Sequence, residues 1–140
     1  MSGKYPNAIY RVSVKAVIRN DKDEYLLVRE WKNDWSFIGG GIDHGETVHE
    51  ALKRELYEEA LIDAQFEESF VEARTIWLPD SDMWALWLFY DVKIENLKYG
   101  LGADADEIKY IDPLTLKDSE FIFEQVVYDY SKHHLRKSIS

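Results

Sequence analysis

From Tyr10 to Ile18 apolar residues recur at every second position, with Tyr10, Val12, Val14, Ala16 and Ile18 on one face and Arg11, Ser13 and Lys15 on the other, the pattern of a half-buried strand. Asn20 to Glu24 forms a polar turn, and Tyr25 to Arg29 (YLLVR) is apolar enough to pair back, so the chain is expected to start with a β-hairpin. Between Thr47 and Ala60 the period changes. Val48, Ala51, Leu52 and Leu56 fall at helical spacing, while Glu50, Lys53, Arg54, Glu55, Glu58 and Glu59 fill the rest of the circumference, which predicts one amphipathic helix. Thr47 and Glu50 match a capping box at its start. Phe66 to Trp77 and Met83 to Ile94 read as long strands joined by a turn at Pro79-Asp80-Ser81-Asp82. Within the second, Trp84 to Tyr90 (WALWLFY) is the longest apolar run and reads as a buried strand. Glu107 to Ile111 predicts a short strand before Asp112-Pro113. The segment from Ser119 to Arg136 predicts a closing helix with Phe123, Val127 and Tyr130 on one side. His133, His134, Arg136 and Lys137 stand near its end, where cations suit the helix dipole. No repeat or linker interrupts the series, so the expected fold is α+β, an α/β/α sandwich, in a single domain spanning 1–140.

Composition narrows the chemistry. The 140 residues contain no cysteine, which excludes disulfides, thiolate metal sites and cysteine nucleophiles and permits a cytoplasmic location. The opening MSGKYPNAIY lacks the apolar stretch of a signal peptide, and WALWLFY is far shorter than the roughly 20 residues of a membrane helix, so no membrane partner is expected. A formal charge of -10 disfavours long nucleic acids, which are held by Lys and Arg against phosphates. A small phosphorylated ligand remains open to an acidic protein when divalent cations bridge carboxylate and phosphate.

That exception bears on Ile38 to Leu61, IGGGIDHGETVHEALKRELYEEAL. A helix so charged is ordinarily a solvated face with pairs such as Glu50 and Arg54. Here Glu55 precedes Glu58 and Glu59 by three and four positions, so the carboxylates gather on neighbouring faces and repel by a few tenths of a kcal/mol per pair. Mg²⁺ or Mn²⁺ would compensate, since both prefer hard oxygen ligands shared with substrate phosphate and water. Gly39, Gly40 and Gly41 let the backbone approach a ligand closely, and a turn leading into a helix start points amides at anions.

Gly40, five residues, Glu46, seven residues, then Arg54-Glu55-Leu56-Tyr57-Glu58-Glu59, one residue and Leu61 together resemble the Nudix box, and the order of elements around it is similar to the Nudix fold for most of the chain. The resemblance implies divalent-metal hydrolysis of a nucleoside diphosphate linked to another moiety. Two departures stand out. Ala60 occupies the place after the paired glutamates where glycine is expected, and Ile38 stands where proline often precedes the glycines. A left-handed Ala60 would cost about 1 kcal/mol or more, whereas a helix running one residue further would welcome it.

The resemblance also implies roles. Glu58 and Glu59 would be the principal metal ligands with the Gly40 carbonyl, and Glu55 a further ligand or the base that deprotonates the attacking water. Arg54 would tie the glycine turn to the helix, with Glu46 as its partner or an added metal contact. An extra carboxylate from a later loop would be Glu107, from GADADEIKYI. Substrate contacts are expected from Gly39, Gly41, Arg11, Trp35, Glu46 and Glu107.

Other candidates have plainer readings. Trp31 and Trp35 could stack on a base, as Trp77 and Trp84 around LPDSD could close over a ligand, but large aromatics are more often packing residues. Arg11 and Lys15 share a strand face and could meet phosphate or sugar, although an exposed sheet face explains them equally. His44, His133 and His134 read as solvent-facing or helix-end residues.

The expected activity is a Mg²⁺-dependent pyrophosphohydrolase of a small nucleotide. The alternative is a sensor that binds nucleotide without turnover, against which the full set Glu55, Glu58 and Glu59 argues. An isoprenoid diphosphate isomerase would be expected to use cysteine, which is absent. A homodimer through exposed strand edges is an admissible partner state.

Overall fold

The computed structural model describes residues 9–30 and 34–134. Trp31, Arg136 and Lys137 lie outside the described residues. The elements run β1 (Arg11–Val17), β2 (Tyr25–Arg29), β3 (Trp35–Gly41), α1 (Val48–Ala60), β4 (Glu67–Leu78), β5 (Met83–Lys93), β6 (Glu107–Ile111), a short 3-10 helix (Pro113–Leu116) and α2 (Ile122–His134). The strands form one mixed sheet in the order β4-β5-β1-β3-β2-β6.

The opening hairpin is not the main pairing. β1 pairs antiparallel with β3, from Ser13 with Gly41 to Ala16 with Ile38, and parallel with β5 along its whole length. β2 pairs with the other half of β3 and with β6. Only the turn keeps hairpin contacts, through the Arg19 and Tyr25 bridge and the Leu26 amide donating to the Ile18 carbonyl at 2.9 Å. β3 therefore separates the two strands by exchanging partners midway, between Phe37 and Ile38.

The expectation of a half-buried β1 is corrected for the same reason. With a strand on either side, Ser13 and Lys15 are buried along with Val14, Ala16 and Val17. The 84–90 run, in turn, is buried on one side only: Ala85, Trp87 and Phe89 are buried, whereas Trp84 is 46% exposed.

Two cores follow from the two faces. Leu52, Leu56, Ala51 and Ala60 of α1 pack with Val14, Ala16, Leu26 and Ile38. Val127 and Tyr130 of α2 pack with Tyr25, Phe37, Trp87 and Phe89. Each fully buried Leu or Phe contributes about 1.5–3 kcal/mol, so each helix is pinned by several such residues. The layers are helix, sheet, helix, as expected.

α1 starts as its sequence predicts. Thr47 caps the Glu50 amide at 3.1 Å while the Glu50 carboxylate accepts the Thr47 amide at 2.9 Å. At its other end Ala60 stays helical and Leu61 takes the left-handed conformation, φ 52°. The helix thus runs the one residue further that suits Ala60, and the left-handed position falls on Leu61.

The last carbonyls of α1 are satisfied from a distant loop. The amides of Gly100, Gly102 and Asp104 donate to the carbonyls of Ala60, Glu59 and Glu58 at 2.9, 3.0 and 3.1 Å. Helix C-terminal carbonyls need such partners when no helical turn follows. α2 is anchored in a comparable way. Asp34, just before β3, accepts the Phe123 amide at 2.6 Å and the Glu124 amide at 3.3 Å, and Glu124 accepts the Trp35 amide at 3.0 Å.

Candidate active site

The glycine turn is the end of β3, and its conformation is one only glycine adopts easily. Gly39 has φ 150°, and a Cβ there would lie 1.9 Å from the Val14 carbonyl oxygen. With no side chain in the way, the Gly39 amide donates to Glu59 Oε1 at 2.9 Å. At Gly40 a Cβ would lie 2.7 Å from Glu55 Oε1, so the Glu55 carboxylate rests directly on the turn. The helix supplies both carboxylates one turn apart, and both are buried.

Arg54 locks turn and helix together. Its Nε and Nη2 donate to the two oxygens of Glu46 at 2.7 and 2.9 Å, and Nη2 also donates to the Gly41 carbonyl at 3.0 Å. Nη1 donates to Glu55 Oε1 at 2.8 Å and to Glu58 Oε2 at 3.3 Å. This is the bidentate geometry that a planar guanidinium favours. It holds the Glu46 carboxyl down at about 2, chiefly through the Arg54 hydrogen bonds. Glu46 is thereby the structural partner of Arg54.

Glu59 is 2% exposed. Burial first, and then a hydrogen bond with the neighbouring Glu30, push its carboxyl up to about 10, while Lys15 and the Gly39 amide pull the other way. Burial likewise raises the Glu55 carboxyl against the pull of Arg54. Two buried carboxyls whose ionisation burial opposes, despite Arg54 and Lys15 nearby, are a donor set short of positive charge. A divalent cation fits: the oxygens are hard, and neutralising them removes the cost of their burial. Among the described residues no three His, Asp or Glu side chains converge closely enough to hold a metal ion unaided, so such a cation would draw further oxygens from phosphate and water, as Mg²⁺ commonly does.

Beside the carboxylates lies a cavity of about 190 Å³, lined on its polar side by Arg11, Ser13, Lys15, Glu30, Asp34 and Ser36 and on its apolar side by Leu78, Trp87 and Phe123. Gly39, Gly40 and Gly41 form part of its wall. Arg11 packs over Gly41, where a Cβ would lie 2.8 Å from its Nη2.

The other expected substrate residues stand apart from the cavity lining. Trp35 lies under Arg29 and Lys109, whose charged ends are 5.4 and 5.3 Å from its ring centre. Glu107 begins β6 and pairs with Arg29 of the adjacent strand. Trp77 and Trp84 face each other across the hairpin at 5.5 Å, part exposed. His134 pairs with Glu72 at 2.6 Å, and His133 contacts the Asp129 carbonyl. Glu30, Ser36 and Asp34 carried no signal in the sequence. Each reaches the site only through the strand order.

The turn, the helix and their arginine clasp set the terms for comparison with known proteins. A family profile described as NUDIX domain matches residues 9–129. The chain belongs to the NUDIX family. An RNA pyrophosphohydrolase of Ruthia magnifica subsp. Calyptogena magnifica is 40% identical over 91 residues, covering 64% of this chain and 45% of that protein. Nudix hydrolase 5 of Arabidopsis thaliana is 34% identical over 111 residues, 73% of this chain and 35% of that protein. This NUDIX chain thus spans less than half the length of those curated relatives. Among solved structures, the MutT protein from Methanosarcina mazei Go1 superposes with a TM-score of 0.72 at 21% identity over 91% of this chain and 96% of that one. The NUDIX domain of Shewanella oneidensis NrtR, complexed with ADP ribose, gives 0.68 at 16% identity over 95% and 97%. Those two likenesses establish the fold.

Proposed function

We propose that the chain is a divalent-metal pyrophosphohydrolase that cleaves a small nucleotide, a nucleoside diphosphate linked to another moiety, by attack of water on phosphorus. The observation that carries the proposal is the pair of buried carboxylates, Glu55 and Glu59, set against a glycine turn that Arg54 clamps from the same helix. Arg54 pairs with Glu55, but Glu59 has no ion pair among the described residues, and structural needs alone do not account for both buried acids one turn apart.

Glu55, Glu58, Glu59 and the Gly40 carbonyl would hold the cation, Mg²⁺ with Mn²⁺ as the substitute. Bound there, it would supply charge neutralisation at the phosphoryl oxygens and a lowered pKa for water. Arg54 keeps Glu55 and Glu58 oriented before substrate arrives, so little reorganisation is required during reaction. Glu55, whose Oε1 Arg54 holds, would accept a proton from the attacking water. Arg11 and the cavity behind the turn receive the rest of the substrate.

The relatives named as RNA pyrophosphohydrolases add a triphosphorylated RNA end to the compounds worth assaying, although a charge of -10 disfavours long RNA. No helix among the described residues is long and apolar enough to cross a membrane, and with cysteine absent we assign action to the cytoplasm. The outer strands β4 and β6 leave edges suited to pairing with a second copy, which sedimentation would report.

The test is hydrolysis of nucleoside triphosphates, nucleotide sugars, ADP-ribose, dinucleoside polyphosphates and a short 5′-triphosphorylated RNA with Mg²⁺, products identified by mass, beside Glu59→Gln. Metal-dependent turnover of one class, lost in the variant, is the expected result. If every compound stays intact while some raise the melting temperature, the hydrolase reading fails and a nucleotide sensor replaces it.

A further inference from the structure

We propose that the cavity bounded by β1, β3 and the first turn of α2 is an anion subsite in which the Lys15 ammonium and the Ser36 hydroxyl bind a phosphate group of the substrate. The proposal deepens the hydrolase reading and rests on it. It assigns the substrate-side contact that the metal carboxylates cannot make.

Two donors there lack a carboxylate partner among the described residues. Lys15, in the central strand β1, is 7% exposed. Its ammonium forms no ion pair with any carboxylate among the described residues, and its close neighbour is the Trp87 ring, 4.2 Å to the centroid. A lysine kept only to balance Glu59 would sit within hydrogen-bond reach of it, since a buried charge is stabilised chiefly by direct pairing. Instead the ring steadies the ammonium from one side, and its N–H donors are capable of reaching a ligand in the cavity that Lys15 lines. Ser36 is 9% exposed, and its hydroxyl has no hydrogen-bond partner among the described residues. Buried polar groups are rarely left so. Both residues line the same cavity, and one ligand with several acceptor oxygens would satisfy both.

The donors of the lining favour an anion. Arg11 and Lys15 are its cations. Of its two acids, Asp34 is engaged by the first amides of α2, and Glu30 is hydrogen-bonded to Glu59. A phosphate offers acceptors to ammonium, guanidinium and hydroxyl together, whereas a neutral base would leave Lys15 unpaired. The position also fits the reaction. Lys15 lies opposite Gly39 in the β1–β3 register, the residue whose amide holds Glu59, so an anion on Lys15 would lie beside the carboxylate site.

The probe is inorganic pyrophosphate, titrated calorimetrically with Mg²⁺ present into wild type, Lys15→Met and Ser36→Ala. Met matches the length of the lysine stem and suits the buried site beside Trp87. Lys15→Met is expected to weaken pyrophosphate binding roughly ten- to a hundredfold, and Ser36→Ala several-fold, in line with hydrogen bonds to charged groups. On the substrate found by the panel, both variants should raise KM far more than they lower kcat. Lys15→Arg, which restores charge, should recover part of the loss. Unchanged pyrophosphate affinity and KM in folded Lys15→Met would overturn the proposal and leave the hydrolase reading standing. Should Lys15→Met fail to fold, Ser36→Ala decides alone, and wild-type affinity in that variant overturns the subsite equally. Lys15-dependent pyrophosphate binding in a protein that turns nothing over would sink the hydrolase reading and keep the subsite.

Discussion

Replacing Gly102 by Ala tests whether a loop distant in sequence holds the catalytic helix end in place. A Cβ at Gly102 would lie 2.2 Å from the Glu58 carbonyl oxygen and 2.6 Å from the Glu59 carbonyl carbon. Ordinary C···O contacts begin near 3.3 Å, so the loop must retreat by about 1 Å. The three hydrogen bonds that cap α1, at 2.9, 3.0 and 3.1 Å, would then stretch toward 4 Å and be lost. At about 1 kcal/mol each, with partial recovery through water, the cost is about 2 kcal/mol. For a chain of this size that is a fall in Tm of roughly 5–10 °C. Gly100→Ala is the control, because its Cβ would meet only Leu61 Cδ1, at 3.5 Å. Differential scanning calorimetry gives both values, and a Mg²⁺ titration of the rate reports whether the carboxylates of Glu58 and Glu59 have moved. A Gly102→Ala protein melting within 1 °C of wild type, or a control equally destabilised, would refute the reasoning.

Arg54→Lys keeps the charge but cannot span Glu46, Glu55 and the Gly41 carbonyl at once; a loss of about 2 kcal/mol and at least a tenfold drop in kcat are expected from denaturant titration and steady-state rates. Leu61→Gly should stabilise, since φ 52° costs a side chain about 1 kcal/mol or more, partly offset by the added chain entropy of glycine; a rise in Tm of roughly 1–3 °C checks it. Glu46→Gln alters the acid limb of stability. The Glu46 carboxyl is held at about 2, below its unfolded value of about 4.3, so its contribution is complete above that unfolded value and disappears as pH falls toward 2. Urea midpoints measured from pH 6 to pH 2 should therefore decline less steeply through that window in the variant.

What could be read in the chain beforehand was local. Helix α1 announced itself through its period and its Thr47 and Glu50 capping box, and the proposed metal-binding residues lie within one turn-and-helix stretch from Gly40 to Glu59. Spacing along a helix fixes which side chains meet, so Glu55, Glu58 and Glu59 could be grouped without knowing the sheet. Strand order has no comparable local signal. The YLLVR segment is equally suited to β1 or β3, and the choice of β3 follows from β1 taking the parallel partner β5 from far along the chain. Contacts made across the fold had no local signal either: Glu30 beside Glu59, Gly102 under the helix end, and Glu107 against Arg29.

Lys15 illustrates how much turns on one such pairing. Arg11, Ser13 and Lys15 alternate with apolar residues, and that alternation reads the same whether the polar side faces water or a cavity inside the protein. With β3 and β5 on either side of β1 and α2 docked above by Asp34, the polar side of β1 is roofed over by Phe123 and Trp87. Cover is incomplete toward the start of the strand, so Arg11 stays exposed while Lys15 is enclosed. Two cations on one face thus acquire different chemistry. Arg11 can exchange phosphate for water at little cost. Lys15 cannot, and an enclosed ammonium without an ion pair among the described residues would bind an anion more strongly than an exposed one, because the competing solvent is already gone.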